Sequence, residues 1–289
     1  LPRWEASQLL RTAQERFSAS PQDPATVQEY FRSNQKPLAL EPKVKATLSH
    51  QIAQALKEAG ISPFPPVLFA LAPTPQILVT SPRERIELHK TFLLEPGLDM
   101  KTAIGLEGRV ESHGLSALVE GLGGIATYPS LVPRNYSLED TVATVAHEWV
   151  HQYLFFTPLG QRYGSNYAMT TINETLADMV GREIANKVLP LYGLKLEEPR
   201  PREPSAFDFN REMRQIRLTV DDMLARGRGK EAEAFMEERR LYLEKNGYYI
   251  RRLNQAYFAF HGSYAESPAS TSPVAGILRR IRPRYAALG

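Results

Sequence analysis

The sequence predicts an α+β protein, with a mixed β-sheet lobe and its accompanying helices over residues 1–136 and a mainly α-helical lobe over residues 137–289. Three observations carry that expectation. Strand-like apolar runs bounded by proline and glycine concentrate before residue 130, helical periodicity dominates after Ser137, and no internal repeat or long low-complexity tract interrupts either part. With 289 residues and 43% apolar content the chain has the material for a large core, which excludes disorder of the whole.

Residues 4–17 read as an amphipathic helix, and so do residues 44–59, where Val44, Leu48, Ile52, Leu56 and Ala59 recur at helical spacing before Gly60. A proline-rich connector over residues 61–66 leads into strand-like text at 67–72 and 76–80. An alternating run follows, with Ile86, Leu88 and Phe92 on one face. Residues 115–119 and 125–128 flank Gly121, Leu122, Gly123 and Gly124, which reads as a hairpin or two strands joined by a tight turn. Pro129 and Pro133 limit the second of these to an edge strand. From Ser137 the text is helical through Gly181, with a loop over residues 157–170. An Arg- and Glu-rich helical region spans residues 207–260, after a break at the prolines of residues 199–204.

Composition narrows the chemistry. Cysteine is absent, which removes thiolate nucleophiles, disulfides and every cysteine-based zinc site, leaving histidine and carboxylates as the strong ligands. Lys and Arg number 35 against 32 acidic residues, and a surplus of three charges does not point to nucleic acid as a partner. No apolar run approaches the roughly 18 residues that span a bilayer. The chain begins at Leu1, which leads us to expect a removed leader or anchor and an extracytoplasmic or membrane-anchored setting. A membrane surface is then an expected partner, through that segment or through the basic tail of Arg279, Arg280, Arg282 and Arg284, which also reads as a solvated helix face.

One motif carries specific chemistry. His147-Glu148-Trp149-Val150-His151 spells H-E-x-x-H, which on a helix sets two imidazoles one turn apart on one face, close enough to share a tetrahedral cation. The motif would arise by chance in roughly one random chain in a hundred of this composition, so its context decides. That context is a predictable helix: Ser137 with Asp140 resembles a capping box, and Val142, Val145, Trp149, Tyr153 and Phe156 fall opposite the histidines. Glu148 projects beside the imidazole pair, where a carboxylate reaches a water on the metal without occupying it, the position of a general base.

A catalytic zinc needs a third protein ligand. The metzincin continuation fails, because Leu154 and Thr157 stand where Gly and His are required. A carboxylate is next. Glu174 and Asp178 share a helix face at i and i+4, so Glu174 can ligate while Asp178 accepts a hydrogen bond from a ligand imidazole, with Asn173 beside them. The competing reading makes Glu174 the acidic end of a capping box begun by Thr171. Glu183 faces away if Glu174 faces the metal, and Glu197 and Glu198 sit in loop-like text.

H-E-x-x-H followed by Asn173-Glu174-Thr175-Leu176-Ala177-Asp178 resembles the gluzincin clan of thermolysin-like zinc metallopeptidases, over residues 141–181. The resemblance implies Zn2+ held by His147, His151 and Glu174, with Glu148 as catalytic base, Asp178 supporting His147, and a peptide or protein as substrate. It also implies an oxyanion donor downstream of the glutamate helix. Residues 257–264 offer Tyr264 first and His261 second, with Asn254 and Tyr257 as further choices; the same residues read equally as packing at a helix end. Substrate backbone pairs with an edge strand in such clefts, which nominates Gly123, Gly124, Ile125, Ala126 and Tyr128. The acidic residue that aminopeptidases of the clan carry there is missing, the nearest being Glu120, and this departure weighs against exopeptidase activity. Two rivals stand beside the peptidase: a zinc hydrolase of another amide or ester, and a non-catalytic zinc- or polyanion-binding module on the same fold.

Overall fold

The computed structural model describes residues 23–196 and 207–286, and within it the chain is a mixed α+β protein with a small sheet component. The helix expected over residues 4–17, the proline break at 199–204, and Glu197 and Glu198 lie outside the described residues, as do the side chains of Arg282 and Arg284. Helices α1 (Pro24–Arg32) and α2 (Glu41–Glu58) open the described chain. Strands β1 (Phe69–Leu71), β2 (Gln76–Pro82) and β3 (Lys90–Leu94), helix α3 (Met100–Glu111) and strands β4 (Leu115–Gly121) and β5 (Ser130–Val132) follow. Thereafter come α4 (Leu138–Leu154), α5 (Tyr167–Val188), α6 (Phe209–Ala225), α7 (Gly229–Lys245), α8 (Gln255–His261) and α9 (Val274–Ala286). No helix among the described residues is long and apolar enough to cross a membrane.

The chain divides into two compact units, each drawing on sequence from both sides of residue 136. The first comprises Leu1–Thr74, Gly123–Gln161 and Leu176–Glu198. Its core joins α1, α2 and α4 to the second half of α5 through Tyr30, Leu48, Leu56, Trp149, Ile184 and Leu189. Each such side chain contributes about 1.5–3 kcal/mol on burial. The helix α4 forms with its expected cap, Ser137 accepting a hydrogen bond from the Asp140 N–H at 3.0 Å, and Val142, Val145 and Trp149 point into this core. Tyr153 and Phe156 of the expected stripe stand exposed instead, Phe156 beyond the end of the helix. Trp149 is also anchored by its indole N–H, which donates to the Pro65 carbonyl at 2.7 Å. Strands β1 and β5 pair in parallel, with Phe69 opposite Ser130 and Leu71 opposite Val132.

The second unit comprises Pro75–Leu122, Arg162–Thr175 and Pro199–Gly289. Its sheet has the order β3-β2-β4 with both pairs antiparallel, Leu78 standing opposite Phe92 on one side and Val119 on the other. One face of this sheet buries Leu78 and Val119 with Ala103 of α3, and the other buries Val79 and Leu118 with Ala256 of α8.

Four local expectations are corrected. The hairpin across Gly121 to Gly124 does not form, because the partner of β4 is β2, which pairs with it along seven positions. Residues 125–128 are an irregular loop, not an edge strand. There Ile125 exchanges both backbone hydrogen bonds with Leu131 at 3.1 Å, and Pro129 has no N–H to extend a ladder. Ile86, Leu88 and Phe92 do not share a face: Phe92 stands exposed on the edge strand β3, while Ile86 and Leu88 pack inward before that strand begins. The helical region after residue 207 is broken twice, at Gly227 and Gly247, whose φ angles of 72° and 86° lie in the left-handed region.

Candidate metal centre

His147 and His151 occupy successive turns of α4, and their Nε2 atoms lie 3.1 Å apart with the rings at 72° to each other. Two nitrogens on one tetrahedral zinc at the usual bond length stand roughly 3.3 Å apart, so the spacing fits a shared cation, or a shared proton in its place. The ring nitrogens of both histidines and a carboxylate oxygen of Glu174 all lie within 4.8 Å of one another. This is the one three-residue group of His, Cys, Asp or Glu found with metal-binding proximity among the described residues. Two imidazoles and a carboxylate form a donor set suited to a transition-metal ion, zinc among them, as opposed to an all-oxygen set suited to calcium or magnesium.

Glu174 sits on α5 and is buried, and its Oε1 accepts a hydrogen bond from the Tyr163 hydroxyl at 2.5 Å. The capping-box reading of Glu174 is excluded. Helix α5 begins at Tyr167, and Thr171 lies a full turn inside it with its hydroxyl donating to the Tyr167 carbonyl at 2.9 Å. The end of the helix is served by Asn166, whose Oδ1 accepts from the Met169 N–H at 2.9 Å. Asp178, one turn after Glu174, places Oδ1 3.6 Å from Nδ1 of His147. That distance is longer than a hydrogen bond, and the contact places Nδ1 toward the carboxylate and leaves Nε2 for the group. Asn173 points along its own helix, donating from Nδ2 to the Met169 carbonyl at 2.8 Å. Glu183 is not in the group.

Glu148 is buried, 7% exposed, on the same helix. A Cβ added to Gly124 would run into its carboxylate and into Cγ2 of Thr144, so only glycine lets the loop backbone lie against this side chain. The neighbouring Gly123 has the Tyr136 hydroxyl 3.0 Å from where its Cβ would stand. Burial raises the pKa of Tyr136 above its ordinary value of 10, with the charges of Asp140 and Glu148 adding to the effect. The rest of the loop is pinned to α4 by Gln152, whose amide donates to the Thr127 carbonyl and to the Ser130 hydroxyl. Ile125, Ala126 and Tyr128 therefore belong to a fixed loop beside the helix, with Tyr128 exposed.

The downstream candidates separate. The Ala265 N–H, next to Tyr264, donates to the Thr175 hydroxyl at 3.0 Å, so this stretch of backbone lies beside the residue that follows Glu174. Buried Arg217 holds the same segment by donating to the Ala269 carbonyl at 2.8 Å. His261 stands elsewhere, with Nε2 3.9 Å from the Glu120 carboxylate and its ring 4.3 Å from that of Tyr257. Tyr257 is pushed up to about 12 by burial and by Glu120. Asn254 has a structural task, capping α8 at the Tyr257 N–H and donating to the Ala117 carbonyl. The basic tail forms α9, where Arg279 pairs with Glu266.

Sequence reasoning missed Tyr163, Tyr136 and the role of Gly181. A Cβ on Gly181 would stand 2.9 Å from the Ala143 carbonyl and 3.2 Å from the His147 nitrogen. Glycine at this one position lets α5 lie directly on the histidine-bearing turn of α4. The isolated placement of Gly181 within a helical pattern was the available signal. No family model, no curated protein and no solved structure matches this chain.

Proposed function

We propose that this chain is a zinc-dependent peptidase in which His147, His151 and Glu174 hold the metal in a cleft and Glu148 is the general base. The observation that carries this reading is the gathering of those three donors within 4.8 Å, beside a buried glutamate on the same helix as the histidines. When bound, zinc supplies the Lewis acidity that polarises a carbonyl and acidifies water. Glu148 takes the proton of the attacking water and delivers it to the leaving amine nitrogen. Asp178 holds the His147 ring with Nε2 forward. Gly124 lets its loop lie against Glu148, and this loop, with Gly123, Ile125, Ala126 and Tyr128, is the candidate to meet the backbone of a peptide or protein substrate. Tyr264, and after it His261, are the candidates to donate a hydrogen bond to the tetrahedral oxygen; the contact of Ala265 with Thr175 favours Tyr264.

The test combines metal analysis of protein purified without chelator with cleavage of a peptide library. One zinc per chain, chelator-sensitive cleavage, and a Glu148→Gln variant that keeps zinc but loses about 10²–10⁴ of the rate are the expected results. Metal-free protein, or an active Glu148→Gln variant, overturns the reading. Cleavage of ester or non-peptide amide substrates alone would transfer the same chemistry to the other class of hydrolase.

A further inference from the structure

Three aromatic side chains of the first unit stand in water together. Phe155 is 67% exposed, Phe64 61% and Phe156 58%. They form one patch, with the Phe156 ring 5.5 Å from that of Phe64 and 5.4 Å from that of Phe155. Monomeric proteins expose single large apolar residues routinely, whereas three joined through one central ring form a contiguous patch of the kind that another phase or molecule covers.

The two segments that build the patch, residues 61–66 and 153–160, contain no Asp, Glu, Lys, Arg or His. At the chain's 23% of charged residues, about three are expected in fourteen. Their backbone is also largely closed to outside partners. Pro63, Pro65, Pro66 and Pro158 have no N–H. The Phe64 N–H donates to the Ser62 carbonyl at 2.8 Å, and those of Phe155, Phe156 and Thr157 donate to the carbonyls of His151, Tyr153 and Leu154 at 3.0, 3.3 and 2.7 Å. The Thr157 hydroxyl is turned inward as well, donating to the Leu154 carbonyl at 2.7 Å. The patch is rigid: the Trp149 indole ties Pro65 to α4, and a Cβ on Gly160 would overlap the Leu154 backbone, so the turn is tightly closed.

A protein partner is recognised through polar contacts as well as apolar area, at about one hydrogen bond per 100–200 Å². Two uncharged segments, with most of their backbone donors internally satisfied and aromatic rings held outward, meet the different demand of a low-dielectric phase, in which an unsatisfied backbone group is costly. We propose that Phe64, Phe155 and Phe156 insert into the interfacial layer of a lipid bilayer, docking this unit on a membrane surface by apolar burial and not by charge. This route is separate from the basic tail, and the docking needs no metal.

Flotation of the full chain with unilamellar vesicles tests it. We expect binding to vesicles of phosphatidylcholine alone, changed by less than about twofold on raising the salt, because no charge is involved. Replacing all three residues by serine should weaken binding by at least about tenfold, while replacing all three by leucine should hold it within about threefold. A Phe156→Trp variant, in which fold and binding are preserved, should show a blue shift and shielding from a soluble quencher on vesicle addition. Three outcomes overturn the proposal. One is no binding to vesicles of phosphatidylcholine, or unchanged Trp emission. Another is binding that requires phosphatidylglycerol, vanishes in salt and persists in the serine variant, which assigns it to the basic tail. The last is self-association that the serine variant abolishes without any vesicle binding, which makes a second copy the occupant.

Discussion

Two regions hold carboxylates out of water by opposite means. In the second unit Glu107 is fully buried on α3, and its counter-charge is built into the chain: Arg251 grips it with two nitrogens at 2.9 and 2.5 Å, Arg252 stands at 3.6 Å, and the Val119 N–H donates to it at 2.6 Å. Around α4 and α5 the groups that converge are the half-buried His147 and His151 and the buried Glu174, all of them metal-ligand types, with the buried Glu148 next to the first. The first arrangement is electrostatically closed by guanidinium groups. The second gathers lone pairs at one point, an arrangement that a cation from solution completes. Burial of charge alone therefore says little about function; the identity of the neutralising group separates a structural tie from a candidate site.

The comparison breaks if the two regions respond alike. The largest effect is expected at the closed network, where Arg251→Ala leaves Glu107 with only the more distant arginine and should cost about 3 kcal/mol of stability. Chemical denaturation would show it, and zinc content should stay at the wild-type value; a loss of zinc would mean that the two regions are not independent. Next comes Gly181→Ala, whose methyl would press on the Ala143 carbonyl and the His147 nitrogen. Overpacking of this kind costs about 1–3 kcal/mol, and here it should lower zinc affinity together with stability. Asp178→Asn should act on the metal with little effect on folding, weakening zinc binding by about 10–100-fold, which competition with a chromophoric chelator would measure.

The smallest effect lies in the second unit. Arg83, by its hydrogen bond, holds the Glu233 carboxyl below the ordinary value of 4.5. A carboxyl lowered on folding adds stability at all pH above its unfolded value and loses it as the pH falls below about 4.5 toward its folded value. Because the pair is partly exposed to water, Glu233→Gln should flatten that acid-side loss by under about 1 kcal/mol, and salt should reduce the difference further.

What the sequence discloses follows from how local each cause is. Helix α4 is legible because its cap at Ser137, its apolar stripe and its two histidines all lie within one run of residues. Strands β2 and β4 are legible from their apolar character, but not their pairing with each other, which skips α3 and β3. Helix α3 gives a weak signal, since Gly105 and Gly108 each cost about 1 kcal/mol of helix propensity; only its cap at Asp99, accepting from the Thr102 N–H, marks the start. The loop over residues 125–128 misleads because its residues alternate like a strand while Ile125 finds its partner six residues ahead in its own segment. At the candidate centre, the spacing of His147 and His151 and the helical step from Glu174 to Asp178 are properties of single helices and could be read directly. The hydrogen bond from Tyr163 and the packing of Gly181 on His147 arise between segments, where one sequence carries no periodic trace of them.

The contact at Gly181 bears on how a metal would enter. With α5 resting on the turn of His147, the position of Asp178 relative to the imidazole is fixed by van der Waals packing between helices, before any ion arrives. For an ion taken there, binding then spends little of its free energy on orienting His147, whose ordering is prepaid by the packing of α5 on α4. For an ion bound there, this packing would act as a gauge, favouring bond lengths that match the spacing already set over longer ones that must strain a packed helix pair.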